Sequence, residues 1–215
     1  MLAFIDPVEK IIRKRRSIRK YKPDAPPSGW IEAVISCAAL APSPSNTQPV
    51  RFFRISSGQM LERLHQAMIE RRGELLQILE AKGGAKKTKN LINAYFRFSE
   101  FMFDAPVVLA AGTITTGESF SGKLREAGIL PAESARGEAD LDISVGLALK
   151  ALLLKSEALG LGTCILTGPL AFLPEVENIL GVENVRIKCF VTLGFPDETP
   201  APVEKKGFSE IYTEI

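Results

Sequence analysis

The sequence predicts a layered domain of the α+β or α/β class. Short runs of β-branched and aromatic residues, at 50–55, 106–111, 163–166 and 186–193, alternate with much longer helical stretches. The 215 residues suit one domain, and 46% hydrophobic with 24% charged residues is the balance of an ordinary globular chain. No repeat or low-complexity block interrupts it.

Each element has a local reason. Asp6 is placed to cap a helix over 7–14, with Pro7 at its first position. A turn-rich stretch with three prolines follows, and Ser28 is expected to cap a helix carrying Ile31, Val34, Ile35, Ala38 and Ala39. Pro42 and Pro44 end that helix. Phe52 and Phe53 favour a strand over 50–55. Ser57 opens an amphipathic helix to about Arg71, and 82–89 is a basic, glycine-containing break. Residues 90–103 are expected to be helical and buried on several sides, because their aromatics cover more than one face. A strand over 106–111 is bounded by Pro106 and Gly112. Residues 115–139 are polar and read mostly as loop or lid. The helix over 141–159 is apolar nearly all round, which places it in the core or at an oligomer seam. Gly160 ends it. A short helix over 172–180, stopped by Gly181, precedes the strand over 186–193. The tail over 197–215 is Pro-rich and charged, then ends in Phe208, Ile211 and Tyr212. Such an end is expected to dock on a partner subunit.

Charge is uneven. Eight basic and no acidic residues lie between Lys10 and Lys22, leaving 19 basic against 25 acidic elsewhere, a net −6. Cys37, Cys164 and Cys189 form no C-x-x-C and read as free thiols of a reducing compartment. Charges at Asp142, Lys150, Lys155 and Glu157 break the longest apolar stretch, so no membrane span is expected. The start before charge begins is short for the apolar region of a secretion signal, so none is expected. The protein is read as cytoplasmic.

One histidine, His65, gives little scope for a Ser-His-Asp arrangement, and metal ligands are not clustered. No metal site is expected. No P-loop and no G-x-G-x-x-G after a strand occurs. An organic cofactor is the simplest source of hard chemistry for such a side-chain set. Three segments could hold one. Arg15-Arg16-Ser17-Ile18-Arg19 offers rigid forks matched to phosphate oxygens, or else a solvated basic run that meets nucleic acid or anionic lipid. Pro42-Ser43-Pro44-Ser45-Asn46-Thr47-Gln48-Pro49 offers neutral donors and acceptors suited to a flat heterocycle, or else a plain turn. Gly160-Leu161-Gly162 leads into Thr163-Cys164-Ile165-Leu166-Thr167-Gly168-Pro169, where small residues let backbone approach a ligand, or simply end a helix.

In this order and spacing, with Leu193-Gly194-Phe195-Pro196 further on, the three segments resemble the nitroreductase family of FMN enzymes, from about residue 9 to 206. The resemblance implies an α+β fold: a mixed, mainly antiparallel sheet flanked by helices, in a domain-entwined homodimer with two flavins at the interface. It implies that Arg15, Arg16, Ser17 and Arg19 hold FMN from one subunit, Arg15 at the phosphate and Arg19 near the N1–C2 carbonyl edge. Pro42, Ser43, Ser45, Asn46 and Gln48 would line the same flavin from the other subunit. Ile165, Leu166, Thr167 and Gly168 would lie along the ring, and Lys205 or Lys206 at the phosphate. Three positions depart from the family: Val50 stands where Trp is frequent, Thr167 stands where an acidic or other polar group is frequent, and the Asn/Lys pair of some members has no match near Arg97 and Glu100.

The implied activity is hydride transfer from NAD(P)H through FMN to a small acceptor such as a nitroaromatic, quinone or enone, in a ping-pong scheme. Arg19 would favour the anionic reduced flavin. The same fold with reductive dehalogenation or flavin breakdown is the alternative within the class. A non-enzymatic basic module is the alternative outside it; the net negative remainder and the lack of nucleic-acid motifs count against it.

Overall fold

Asp6 accepts hydrogen bonds from the backbone N–H groups of Val8 (2.8 Å) and Glu9 (2.9 Å), which sets the start of α1 (Pro7–Lys14). The computed structural model describes residues 6–114, 120–131 and 135–215. After α1 come α2 (Ser28–Ala39), β1 (Val50–Arg54), α3 (Gly58–Ala81), α4 (Lys86–Glu100) and β2 (Val107–Ile114). Then follow α5 (Phe120–Glu126), α6 (Ala135–Ala158), β3 (Gly162–Leu166), α7 (Val176–Leu180), β4 (Val185–Gly194) and α8 (Phe208–Ile211).

Several boundaries differ from the sequence reading. Ser28 is the first residue inside α2, and extended Pro27 takes the capping position with no side-chain cap. The ψ of 142° at Pro27 lies far from the helical value, so helical backbone begins only at the next residue. Helix α3 continues ten residues past Arg71 because Glu74 to Glu80 are good helix formers, and Gly73 alone costs too little to stop it. Helix α4 starts inside the basic stretch read as a break. Its aromatics are not buried on several sides: Phe96 is buried, whereas Tyr95 is 54% and Phe98 70% exposed. The 115–139 stretch, read mostly as loop, contains α5 and the start of α6; its residues 115–119 and 132–134 lie outside the described residues.

The strands form one sheet in the order β1-β2-β4-β3, with antiparallel ladders. A single parallel bridge joins Ser17 to Thr163 on β3. Alternation along the strands splits the interior into two layers. Val107, Leu109, Ala111, Val191 and Leu193 face α2 and α6, where Val34, Val145, Leu149 and Leu152 are buried. Val108, Ala110 and Phe190 face α3, α4 and α7, with Leu64, Met68, Phe96 and Val176. A bulge opposite Ala111/Gly112 shifts β4 by one residue, so Cys189 joins the first layer and Ile187 the second.

Sheet order leaves β3 at an edge. Gly160 takes φ 75° to close α6, and the chain enters β3 through Gly162. A Cβ on Gly162 would lie 2.7 Å from Ile18 Cγ1 and 2.8 Å from Ile18 Cβ, so only glycine lets the 15–19 segment lie against the edge. Gly162→Val is expected to lower Tm by about 3–10 °C, from overpacking of roughly 1–3 kcal/mol. A thermal melt checks this.

Candidate functional site

The segment after α1 is pinned to the β3 edge by its backbone. Ile18 N–H donates to the Thr163 carbonyl (3.0 Å), and the Glu198 carboxylate accepts from the N–H groups of Arg19 and Lys20. Tyr21 donates its hydroxyl proton to the Ile18 carbonyl (2.5 Å) and lies 2.7 Å from Thr192 Oγ1. An extended segment presents alternate residues to opposite sides. Arg15, Ser17 and Arg19 therefore share one side. Burial pushes the Cys164 thiol of β3 above its ordinary pKa, while the charge of Arg19, the Ser17 hydroxyl and the charge of Arg15 pull it back. Arg16 takes the other side. Its Nη1 donates to the carbonyls of Arg13 (2.6 Å) and Arg15 (2.9 Å), closing the C-terminus of α1. It lines a separate cavity of about 380 Å³ with Lys14, Glu157 and Glu198.

On the Arg19 side lies an open cavity of about 480 Å³. Arg19 forms one wall. Ile165, Leu166, Thr167 and Gly168 form the floor, and Tyr95, Phe98, Ser99 and Phe101 of α4 and the following turn form the far wall. The size is that of a ligand pocket. Thr163 turns its carbonyl outward to Ile18, so alternation aims the backbone N–H and C=O of Ile165 outward along the same free edge. Ile165 and Thr167 are exposed, Leu166 is buried beneath them, and Gly168 lets Ser99 approach: a Cβ there would lie 3.1 Å from Ser99 Oγ. Cation, outward backbone amides and an apolar wall together fit a flat, electron-accepting heterocycle. The cavity-lining aromatics of α4 had no signature in the sequence beyond their clustering, and Glu198 had none.

The serine–asparagine loop stands elsewhere. Ser43 and Gln48 line a cavity of about 120 Å³ with Pro42, Arg51 and Ser144. Ser45 (φ 52°), Asn46 (φ 54°) and Gln48 (φ 47°) all take the left-handed region. Each such residue costs of order 1–3 kcal/mol and persists only when its surroundings enforce it. Here Ser43 Oγ accepts from Gln48 N–H (2.8 Å), Asn46 N–H donates to the Ser43 carbonyl (3.0 Å), and Asn46 Oδ1 accepts from Gln48 Nε2 (3.2 Å). Pro42, Ser45, Asn46 and Gln48 are exposed, so the strained loop presents its polar atoms outward. Lys205 and Lys206 are exposed on the tail beyond Pro202 and line none of these cavities.

Among the described residues no group of His, Cys, Asp and Glu is arranged to hold a metal, and no helix is long and apolar enough to cross a membrane. His65 packs on Phe103 with ring centroids 4.6 Å apart, and its Nε2 lies 3.6 Å from Glu100. It takes no part in the cavity.

Burial pushes the Tyr21 hydroxyl well above its ordinary value of 10.0 and the Cys189 thiol from 9.0 up to about 12. Above pH ~9 the unfolded chain gives up these protons while the folded chain keeps them, so stability falls as pH rises. The contribution is complete below about pH 9 and declines toward pH 12. Thermal melts across that window should show Tm falling on the alkaline side and, for these groups, no loss toward neutrality.

The nitroreductase family model matches residues 12–195. Nitroreductase NfnB of Mycolicibacterium smegmatis is 26% identical over 231 aligned positions, covering 94% of this chain and 90% of that protein. The fold is that of a BluB-like flavoprotein from Clostridium difficile 630, with a TM-score of 0.80, 24% identity, and 98% and 99% of the two chains covered. It is also that of the FMN-dependent nitroreductase NfnB from Mycobacterium smegmatis solved with NADPH, with a TM-score of 0.65, 23% identity, and 96% and 97% covered.

Proposed function

The chain belongs to the nitroreductase family of oxidoreductases, and we propose that it holds FMN in the 480 Å³ cavity and reduces a small acceptor with electrons from NAD(P)H. The observation that carries this reading is the open cavity that Arg19 borders together with Ile165, Leu166, Thr167 and Gly168 at the free edge of β3. Bound there, FMN would supply two-electron hydride transfer between nicotinamide and acceptor.

The chain's own residues do the rest. Arg15 takes the phosphate, with Ser17 beside it. Arg19 presents positive charge to the ring's N1–C2 edge and stabilises an anion there. Backbone N–H groups along Ile165–Gly168 orient the ring, and the Tyr95 and Phe98 wall limits water. Arg16 serves the site indirectly, by fixing the turn between α1 and the arginine segment. Lys205 or Lys206 reaches the phosphate from the tail. No acid–base side chain acts on the acceptor.

Pro42, Ser43, Ser45, Asn46 and Gln48 complete the site from a second copy of the chain. Two features support a homodimer. Ile143 (56% exposed) and Leu147 leave an apolar face of α6 uncovered. The tail exposes Phe208, Ile211 and Tyr212, and stacks Phe208 on Tyr212 with centroids 4.7 Å apart, with no burial within its own chain. Free Cys37, Cys164 and Cys189 suit a reducing compartment, the cytoplasm.

Purified protein should be yellow, and heat should release FMN. Anaerobic NADPH or NADH should bleach the flavin absorbance, and a nitroaromatic, quinone or enone should restore it. A bound flavin that neither nicotinamide bleaches would refute the activity.

A further inference from the structure

The α3–α4 connection carries the chain's second concentration of positive charge. Lys82, Lys86, Lys87 and Lys89 are all exposed, and no acidic residue occurs from Ala81 to Ser99. Among the described residues, the carboxylate ion pairs of the protein involve none of these lysines. Like charges three residues apart on a helix, as at Lys86 and Lys89, repel unless an anion lies between them. Nothing in the proposed flavin site uses them.

Their position relates them to that site. The helix that bears Lys86, Lys87 and Lys89 also carries Tyr95, Phe98 and Ser99 into the cavity wall. At 1.5 Å per residue, the lysines stand about 9 to 20 Å up the helix from those side chains. At 100° per residue, Lys87, Leu91 and Phe98 fall within about 40° of one another around the axis. Leu91 and Phe98 are exposed, so an open stripe runs from the cavity to Lys87; Lys86 and Lys89 belong to the same first turn of the helix, about 100° and 160° away around the axis, with stems inclined toward its N-terminal end. A ligand with a ring in the cavity, an extended body and a terminal anion would fit it. A phosphorylated nicotinamide dinucleotide has that plan, because its extra phosphomonoester sits on the adenosine ribose, remote from the nicotinamide.

We propose that Lys86, Lys87 and Lys89 hold that phosphomonoester and make NADPH the preferred hydride donor. The inference rests on the reading that a nicotinamide reduces a flavin in this cavity. Lysine suits the role as a compact point charge on a flexible stem, able to follow a mobile phosphate without the fixed geometry of arginine. Being exposed, the contact is screened, so preference for NADPH should weaken as salt rises.

The test compares the flavin-loaded wild type with the triple variant Lys86→Gln/Lys87→Gln/Lys89→Gln and with the triple arginine variant, which retains the charge. The ratio of kcat/KM for NADPH to that for NADH should fall about tenfold in the glutamine variant, as expected for several weak exposed pairs acting together, and stay near wild type in the arginine variant. An unaltered ratio in the glutamine variant overturns the assignment. Titration with adenosine 2′,5′-bisphosphate against AMP decides the same point without turnover. Tighter binding of the bisphosphate, lost in the glutamine variant, supports the lysines. Equal binding of the two nucleotides, or binding indifferent to the substitutions, overturns them. Failure of both dinucleotides to bleach the flavin refutes the proposed activity instead, and the nucleotide titration still decides the phosphate site.

Discussion

Replacing Arg15 and Arg19 together by alanine should give a folded, colourless protein. Arg15 and Arg19 fall on the same side of the extended segment, and each is assigned a charge-assisted contact to flavin. Such hydrogen bonds contribute about 1.5–3 kcal/mol each, so losing two weakens FMN binding by roughly a hundredfold to ten-thousandfold. The fold survives because the Arg15 and Arg19 side chains do not anchor this stretch. Its anchors are Ile18 N–H on the Thr163 carbonyl, the Glu198 carboxylate on the Arg19 and Lys20 amides, and the Tyr21 hydroxyl. Arg19 Nη1 makes only a long 3.5 Å contact to the Ser17 carbonyl. Flavin content by absorbance and folding by circular dichroism check the result. Full flavin occupancy in the double variant would show that the arginines were wrongly assigned.

Ile143→Asp/Leu147→Asp should yield monomers that bind no flavin. Both residues are exposed on α6, while Val145, Leu149 and Leu152 of the same helix are buried in the core, so the substitutions spare the interior. In a two-fold interface each change occurs twice. Burying an aliphatic side chain contributes about 1.5–3 kcal/mol, so four lost contacts raise the dimer Kd by at least about ten-thousandfold, before the cost of burying carboxylates. Sedimentation gives the oligomeric state and absorbance the flavin. A monomer that retained flavin would mean that one chain builds the whole pocket.

Much of this was legible in the residues. Asp6 and Pro7 set α1, Gly160 and Gly181 stop helices at left-handed positions, and the runs at 50–55 and 186–193 are strands. The order of the arginine segment, the serine–asparagine loop and the glycine-flanked strand pointed to the family. What escaped depends on contacts remote in sequence. Glu198 holds Arg19 from 179 residues away, and no local pattern announces it. The division of Arg15 and Arg19 from Arg16 follows from the segment being extended, which the Ser17–Thr163 bridge enforces. Phe98 looked like core because aromatics usually are; its exposure arises because only the Phe96 side of α4 meets the sheet layer. Helix α3 ran long because its last ten residues carry no breaker strong enough to end it.

Mixed dimers test most directly whether two protomers share each flavin. One tagged chain carries Arg15→Ala/Arg19→Ala; the other carries Ser43→Ala/Asn46→Ala, which removes the hydroxyl that holds the strained loop and places a plain side chain at φ 54°. Each variant alone should be colourless. In the co-expressed, doubly purified heterodimer, one site pairs intact arginines with an intact loop and the other has neither. Sharing of each flavin by two protomers therefore requires one FMN per dimer and restored turnover. A colourless heterodimer would place arginines and loop around the same flavin within one chain and contradict it.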